Sequence, residues 1–190
     1  MMHLISIFTM SMLSSNIILN NFLGLCPFIG SSKKEKNVIN MSLSVMLVVT
    51  ISSIITYFLN YFVLVKTGTT FLRIIIFILV IVSVVYTFEI ILKKTNKKLY
   101  NLFGLYFPFI IANCAVLGII LLSITNNYNF IETIIFSIGS SLGFTLVTYL
   151  FSIIMERLEI SNVPTRFKGI PISLITASIM ALLFTRYIGK

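Results

Sequence analysis

A chain of 190 residues that is 58% hydrophobic and 10% charged, with a mean hydropathy of +1.07, cannot hide its apolar surface inside a soluble globule of that size, so its solvent is the bilayer. Fourteen Lys and Arg against five Glu give a net charge of +9. The positive residues fall in short loops between apolar runs, which reads as a membrane-orientation signal rather than a nucleic-acid surface.

Six apolar segments are long enough to cross, a helix needing roughly 20 residues. In chain order they lie near 4–25, 38–65, 70–92, 99–123, 130–155 and 170–188. The first lacks a basic leader and a small-residue cleavage site, so it is expected to remain as a span rather than to be removed as a signal peptide. It ends in "NNFLGLCPFIG" (20–30), where Asn20, Asn21, Gly24, Cys26 and Pro27 stand in place of the usual leucines. The second and third spans are nearly unbroken. The fourth carries "FPFIIANCAVLG" (107–118), interrupted by Gly104, Pro108, Asn113 and Cys114. The runs are continuous rather than alternating, which excludes a strand barrel. The fold class is therefore an all-α polytopic membrane protein with six transmembrane helices.

The loops after spans one, three and five hold ten Lys and Arg, from Lys33 to Lys168, whereas Lys66, Arg73, Arg186 and Lys190 lie on the other side. Excess positive charge stays in the cytoplasm, which puts both termini outside. Three spans per half make the halves, 1–98 and 99–190, inverted three-helix repeats, with the first span of each broken. Interrupted helices in matching positions of two halves point to a binding site near the midplane. Proline removes a donor, and backbone groups freed in hydrocarbon are tolerated only where protein or a ligand satisfies them.

Each broken span also holds one of the two cysteines, Cys26 and Cys114. Buried cysteine often serves as a small hydrophobe. There is no C-x-x-C pair for disulfide exchange, and His3 is too remote to complete a zinc site. An iron–sulfur cluster takes four thiolates, so two cysteines make half of such a site and a second chain would have to complete it. No carboxylate falls at mid-membrane. Glu89 precedes Lys93 by one turn, Glu132 opens span five, and Glu156 sits beside Arg157 at a helix end. The residues alone leave three readings open: an electron carrier, a secondary transporter and a passive scaffold.

The stretches "NNFLGLCPFIGSSKK" (20–34), "LRIIIFILVIVSVV" (72–85), "ANCAVLG" (112–118), "GFTLV" (143–147) and "VPTRFKGIPISLITASIMAL" (163–182) resemble the paired six-helix subunits of the Rnf and Na⁺-translocating NADH:quinone reductase complexes. The resemblance covers nearly the whole chain. It implies half-helices in spans one and four and a homologous six-helix partner subunit of opposite topology. The pair would share one intramembrane [2Fe–2S] cluster, with Cys26 and Cys114 as this chain's ligands and Gly24, Asn113 and Gly118 beside them. The implied function is electron relay through the membrane coupled to Na⁺ or H⁺ translocation, within a larger complex. The chain would not be catalytic on its own, and it would reside in a bacterial inner membrane with both termini periplasmic.

Overall fold

A computed structural model of the chain describes residues 2–14, 35–64, 72–95, 110, 111, 113–161, 164 and 169–188. These residues form six helices and no strand. Helix α1 (Met2–Thr9) runs on into a π-helical turn, Met10–Ser14. Helix α2 (Glu35–Leu59) ends in a second π-helical turn, Asn60–Leu64. Then come α3 (Arg73–Thr95), α4 (Cys114–Thr125), α5 (Phe130–Ile160) and α6 (Ile170–Ile188).

Helix α3 shows why solvent outranks propensity. Its "RIIIFILVIVSVV" is dense in β-branched residues, which favour strands in water. In hydrocarbon every backbone N–H and C=O must be paired within the segment, and an isolated span can do that only as a helix. Three helices, at Met41–Phe62, Arg73–Lys94 and Phe130–Leu158, are long and apolar enough to cross a bilayer, while α4 and the apolar part of α6 are shorter.

Helix α5 is the axis of the packing and touches α1, α2, α4 and α6. Over half of its apolar window is buried (56%), against 22% for α3. Helices α2 and α5 lie antiparallel. The Ser53 and Ser137 hydroxyls meet at 2.8 Å, and further out the Phe130 ring packs on Tyr57 and Phe58 with centroids 5.5 and 5.6 Å away. Moving forward along one helix therefore moves backward along the other.

The interface is built from small and hydroxyl residues, as expected where lipid tails offer no hydrophobic contrast and close van der Waals contact must hold helices together. Ser52, Ser53 and Thr56 of α2 are buried with Thr133, Ser137, Ser140, Ser141 and Thr148 of α5. Four of these eight hydroxyls bond back to their own helix: Thr56 donates to the Ser52 carbonyl at 2.7 Å, Thr148 to Phe144 at 2.7 Å, Ser137 to Thr133 at 2.7 Å and Ser141 to Ile138 at 2.9 Å. With the single Ser137 proton so used, Ser53 supplies the donor between the two serines.

On another side of α5, Gly139 and Gly143 form a small-xxx-small pair, both buried. A Cβ on Gly139 would overlap the Ser11 hydroxyl and lie 3.2 Å from the Phe8 carbonyl oxygen. The absence of a side chain there is what lets α1 and its π-helical turn reach α5. Apolar residues such as Val45, Val49, Phe77, Ile120 and Phe144 fill the spaces between helices.

The α4–α5 connection is a tight hairpin. Tyr128 N–H donates to the Ser123 carbonyl at 3.2 Å and Asn127 N–H to Ile124 at 3.0 Å, with Asn127 at φ 51°. This is a Schellman ending with asparagine in the left-handed position usually held by glycine. Two residues on, Asn129 N–H donates to Glu132 Oε2 at 2.9 Å, one half of a capping box for α5.

Candidate functional site

The break expected in the fourth span lies immediately before Cys114. Ile110 and Ile111 are helical, Asn113 is extended at φ −79° and ψ 105°, and helix restarts at Cys114. The local chemistry explains the restart. Asn113 Oδ1 accepts from Ala115 N–H at 3.1 Å, and the Asn113 carbonyl accepts from Val116 N–H at 3.1 Å. An asparagine in this cap position satisfies donors that the first turn cannot pair internally. Before the break, Asn113 N–H reaches back to the Ile110 carbonyl at 3.3 Å, closing the preceding turn.

The helix that follows has 12 residues. At 1.5 Å per residue it is about 18 Å long, well short of a bilayer core of about 30 Å. Helix α4 is thus a half-helix whose N-terminus lies inside the packed protein. Ile110, Asn113, Ala115 and Val116 are all buried around it, and Cys114, its first residue, is half-buried. Gly118, one turn beyond Cys114, is buried as well.

Asn113 is only 3% exposed, and among the described residues its Nδ2 has no hydrogen-bond partner. The orphan is more telling than those on the serines. Ser42, Ser52 and Ser140 also have unpartnered buried oxygens, but a serine can rotate one torsion and donate to the carbonyl a turn earlier, as Thr50 does to Met46 at 2.8 Å. The Asn113 amide is held in plane by the bond of its oxygen to Ala115, so its NH₂ points where that bond dictates.

Among the other sequence candidates, Gly24 and Cys26 lie outside the described residues, as do Asn20, Asn21, Pro27, Gly104 and Pro108. Among the described residues, no three metal-ligating side chains converge. The carboxylates stay at the margins: Glu132 caps α5, Glu156 is exposed, and Glu89 is half-buried a turn before Lys93.

Two sequence signals become legible beside this geometry. "CPFIG" and "CAVLG" both read C-x-x-x-G, pairing Cys26 with Cys114 and Gly30 with Gly118 at one offset of 88 positions. The same offset superposes Ser52 and Ser53 of α2 on Ser140 and Ser141 of α5, and all four are buried. A comparison of the halves at the spacing of the cysteines would have found both.

Comparison with known proteins fixes the family. Residues 4–189 match the pattern described as "Rnf-Nqr subunit, membrane protein". The chain belongs to the Rnf-Nqr subunit family. It is 44% identical over 188 residues to the A subunit of the Na⁺-translocating ferredoxin:NAD⁺ oxidoreductase complex of Acetobacterium woodii, covering 99% of this chain and 98% of that one. It is 44% identical to the A subunit of the ion-translocating oxidoreductase complex of Aliivibrio salmonicida over 94% of this chain and 93% of the relative. For the equivalent protein of Pasteurella multocida the identity is 46%, over 93% and 92%. Within this family the chain is a multi-pass membrane protein, and the apolar lengths of α2, α3 and α5 agree with that.

Proposed function

We propose that this Rnf-Nqr family member is the A subunit of an ion-translocating oxidoreductase complex, and that it relays electrons through the membrane at the restart of the helix before Cys114. The observation that carries the reading is the half-helix beginning at Cys114, behind a buried Asn113 whose amide NH₂ is unpartnered among the described residues. The relatives' names, which describe the A subunit of such complexes, supply the context.

The donor set fits a shared [2Fe–2S] cluster. Such a cluster takes four thiolates, and the chain has two cysteines. Cys114, together with Cys26, would provide two, and a homologous six-helix subunit of opposite topology the others. When bound, the cluster would supply one-electron transfer inside the membrane. A thiolate-ligated cluster is anionic, and the chain answers that charge with its own dipoles. The N-terminus of α4 carries roughly half a positive elementary charge directed toward Cys114. The Asn113 Nδ2 protons are available as donors to a sulfur, which would raise the potential at which the site accepts an electron. Buried Gly118 leaves the face one turn below Cys114 without a side chain, and Gly24, two residues before Cys26, is assigned a place beside that cysteine. With the carboxylates at the margins, coupling to Na⁺ or H⁺ would come through movement against partner subunits rather than through an ion path within this chain. The complex would sit in a bacterial inner membrane, with both termini of this chain periplasmic.

Low-temperature EPR of the anaerobically purified, dithionite-reduced complex tests the reading. Cys114→Ala and Cys26→Ala should each abolish one [2Fe–2S] signal while every subunit remains present. An unchanged spectrum in an intact complex would make the cysteines structural and end the electron-relay assignment.

A further inference from the structure

The exposed side of α2 has the composition that a lipid-facing surface requires. Ile39, Leu43, Leu47, Ile51 and Ile55 recur every fourth residue, all exposed. The stripe is entirely apolar until Tyr61, beyond the end of the helix, where a phenol suits the aromatic belt of the interface.

Helix α3 is different. Its exposed ridge runs through Ile75, Leu79, Ser83, Tyr86, Thr87 and Ile90, and its middle is polar. Ser83 donates to the Leu79 carbonyl at 2.9 Å and Thr87 to the Ser83 carbonyl at 2.8 Å, so both hydroxyls are satisfied within the helix. Tyr86 is 55% exposed, and among the described residues its hydroxyl meets no acceptor.

Depth makes this costly. Tyr86 lies seven residues before Lys93 and thirteen after Arg73. At 1.5 Å per residue that is about 10 Å from the lysine end and about 20 Å from the arginine end. Helical side chains lean toward the N-terminus, so the phenol leans away from the nearer interface and toward the bilayer centre. It cannot snorkel to water as a longer basic side chain would. A hydroxyl held in hydrocarbon without an acceptor is strongly disfavoured.

We infer that the Ser83–Tyr86–Thr87 face of α3 docks a membrane-spanning helix of another subunit of the complex, one that offers Tyr86 a hydrogen-bond acceptor at mid-depth. This rests on the reading of the chain as a complex subunit. Ser83 and Thr87 are small and already satisfied, so they permit close approach on either side of the phenol, as small residues do at membrane helix contacts. Helix α3 is also the least buried of the three long spans, which leaves this ridge open for a neighbour.

Site-directed photo-crosslinking tests the inference in the assembled complex. Tyr86→p-benzoylphenylalanine, irradiated in native membranes, should form an adduct with one identified subunit of the complex. Leu47→p-benzoylphenylalanine, on the lipid stripe of α2, should form lipid adducts only. Lipid adducts alone at position 86, or an adduct with a second copy of this chain, would overturn the docking face. Tyr86→Phe keeps the ring and removes only the O–H. It should speed dissociation of the complex in mild detergent about threefold, the scale of one interhelical hydrogen bond in a membrane, and an unchanged rate would equally overturn the inference. If the other subunits do not co-purify with the unaltered chain, the subunit reading itself fails, and that result is separate from either outcome at position 86.

Discussion

The α2–α5 interface and the start of α4 both place polar groups in an apolar interior, and they treat them in opposite ways. Along α2–α5, Thr56, Ser137, Ser141 and Thr148 turn back onto their own helices, Ser53 meets Ser137, and the orphan hydroxyls of Ser52 and Ser140 can each rotate toward a carbonyl one turn earlier, so the polarity is consumed locally. At α4 the Asn113 oxygen caps the helix while its NH₂ is left without a partner among the described residues, beside a cysteine at a helix N-terminus. Closed hydrogen bonding makes a scaffold. An open donor fixed by its own cap makes a place for something else.

The largest way to break this contrast is at Cys114. If the open site holds a cluster, Cys114→Ala removes its EPR signal entirely and leaves α2–α5 packing untouched, so the thermal unfolding of the purified complex should retain its core transition. Next comes Gly139→Val, which acts on the scaffold alone. Its side chain would press on Phe8 and Ser11 across the α1–α5 contact. Overpacking of this kind costs about 1–3 kcal/mol, so the variant should unfold at lower temperature in detergent and keep the cluster signal wherever it remains folded.

Asn113 sharpens the comparison because its two roles can be separated. Asn113→Ala should lose about 1 kcal/mol of helix capping and shift the cluster's midpoint to more negative potential. Asn113→Asp keeps an oxygen cap but replaces the donor with a carboxylate. It should preserve stability while moving the potential further down, measured by redox titration monitored by EPR. Equal potentials in all three proteins would confine Asn113 to capping. The smallest effect belongs to the hydroxyl pair: a double-mutant cycle of Ser53→Ala and Ser137→Ala should give a coupling of about 0.6 kcal/mol and no change in the cluster.

Much of the scaffold was legible in the chain because hydrocarbon allows so few solutions. Apolar length marks the spans, and the 170–188 segment coincides with α6. The break in the fourth span was legible as well, since Asn113 is a strong cap residue and Pro108 and Gly104 upstream disfavour a continuous helix. The hydroxyl interface was not singled out. Ser and Thr inside a membrane helix are compatible with lipid when they bond to the preceding turn, so their presence does not reveal which of them face another helix. The repeated C-x-x-x-G was written in the sequence but becomes meaningful only when the halves are superposed at the cysteine spacing.

By itself, then, the sequence determined that the chain is helical and membrane-embedded and that the span holding Cys114 is interrupted just before it. Those properties follow from solvent and backbone chemistry, which act residue by residue. Only the tertiary structure decided that α5 is the axis, that Gly139 admits α1, that Ser53 faces Ser137, that the Asn113 NH₂ is buried without a partner among the described residues, and that Tyr86 points away from the core. Each of these depends on which faces of two helices meet. In a bilayer that choice rests on shape and on a few hydrogen bonds, because lipid solvates every apolar face equally well.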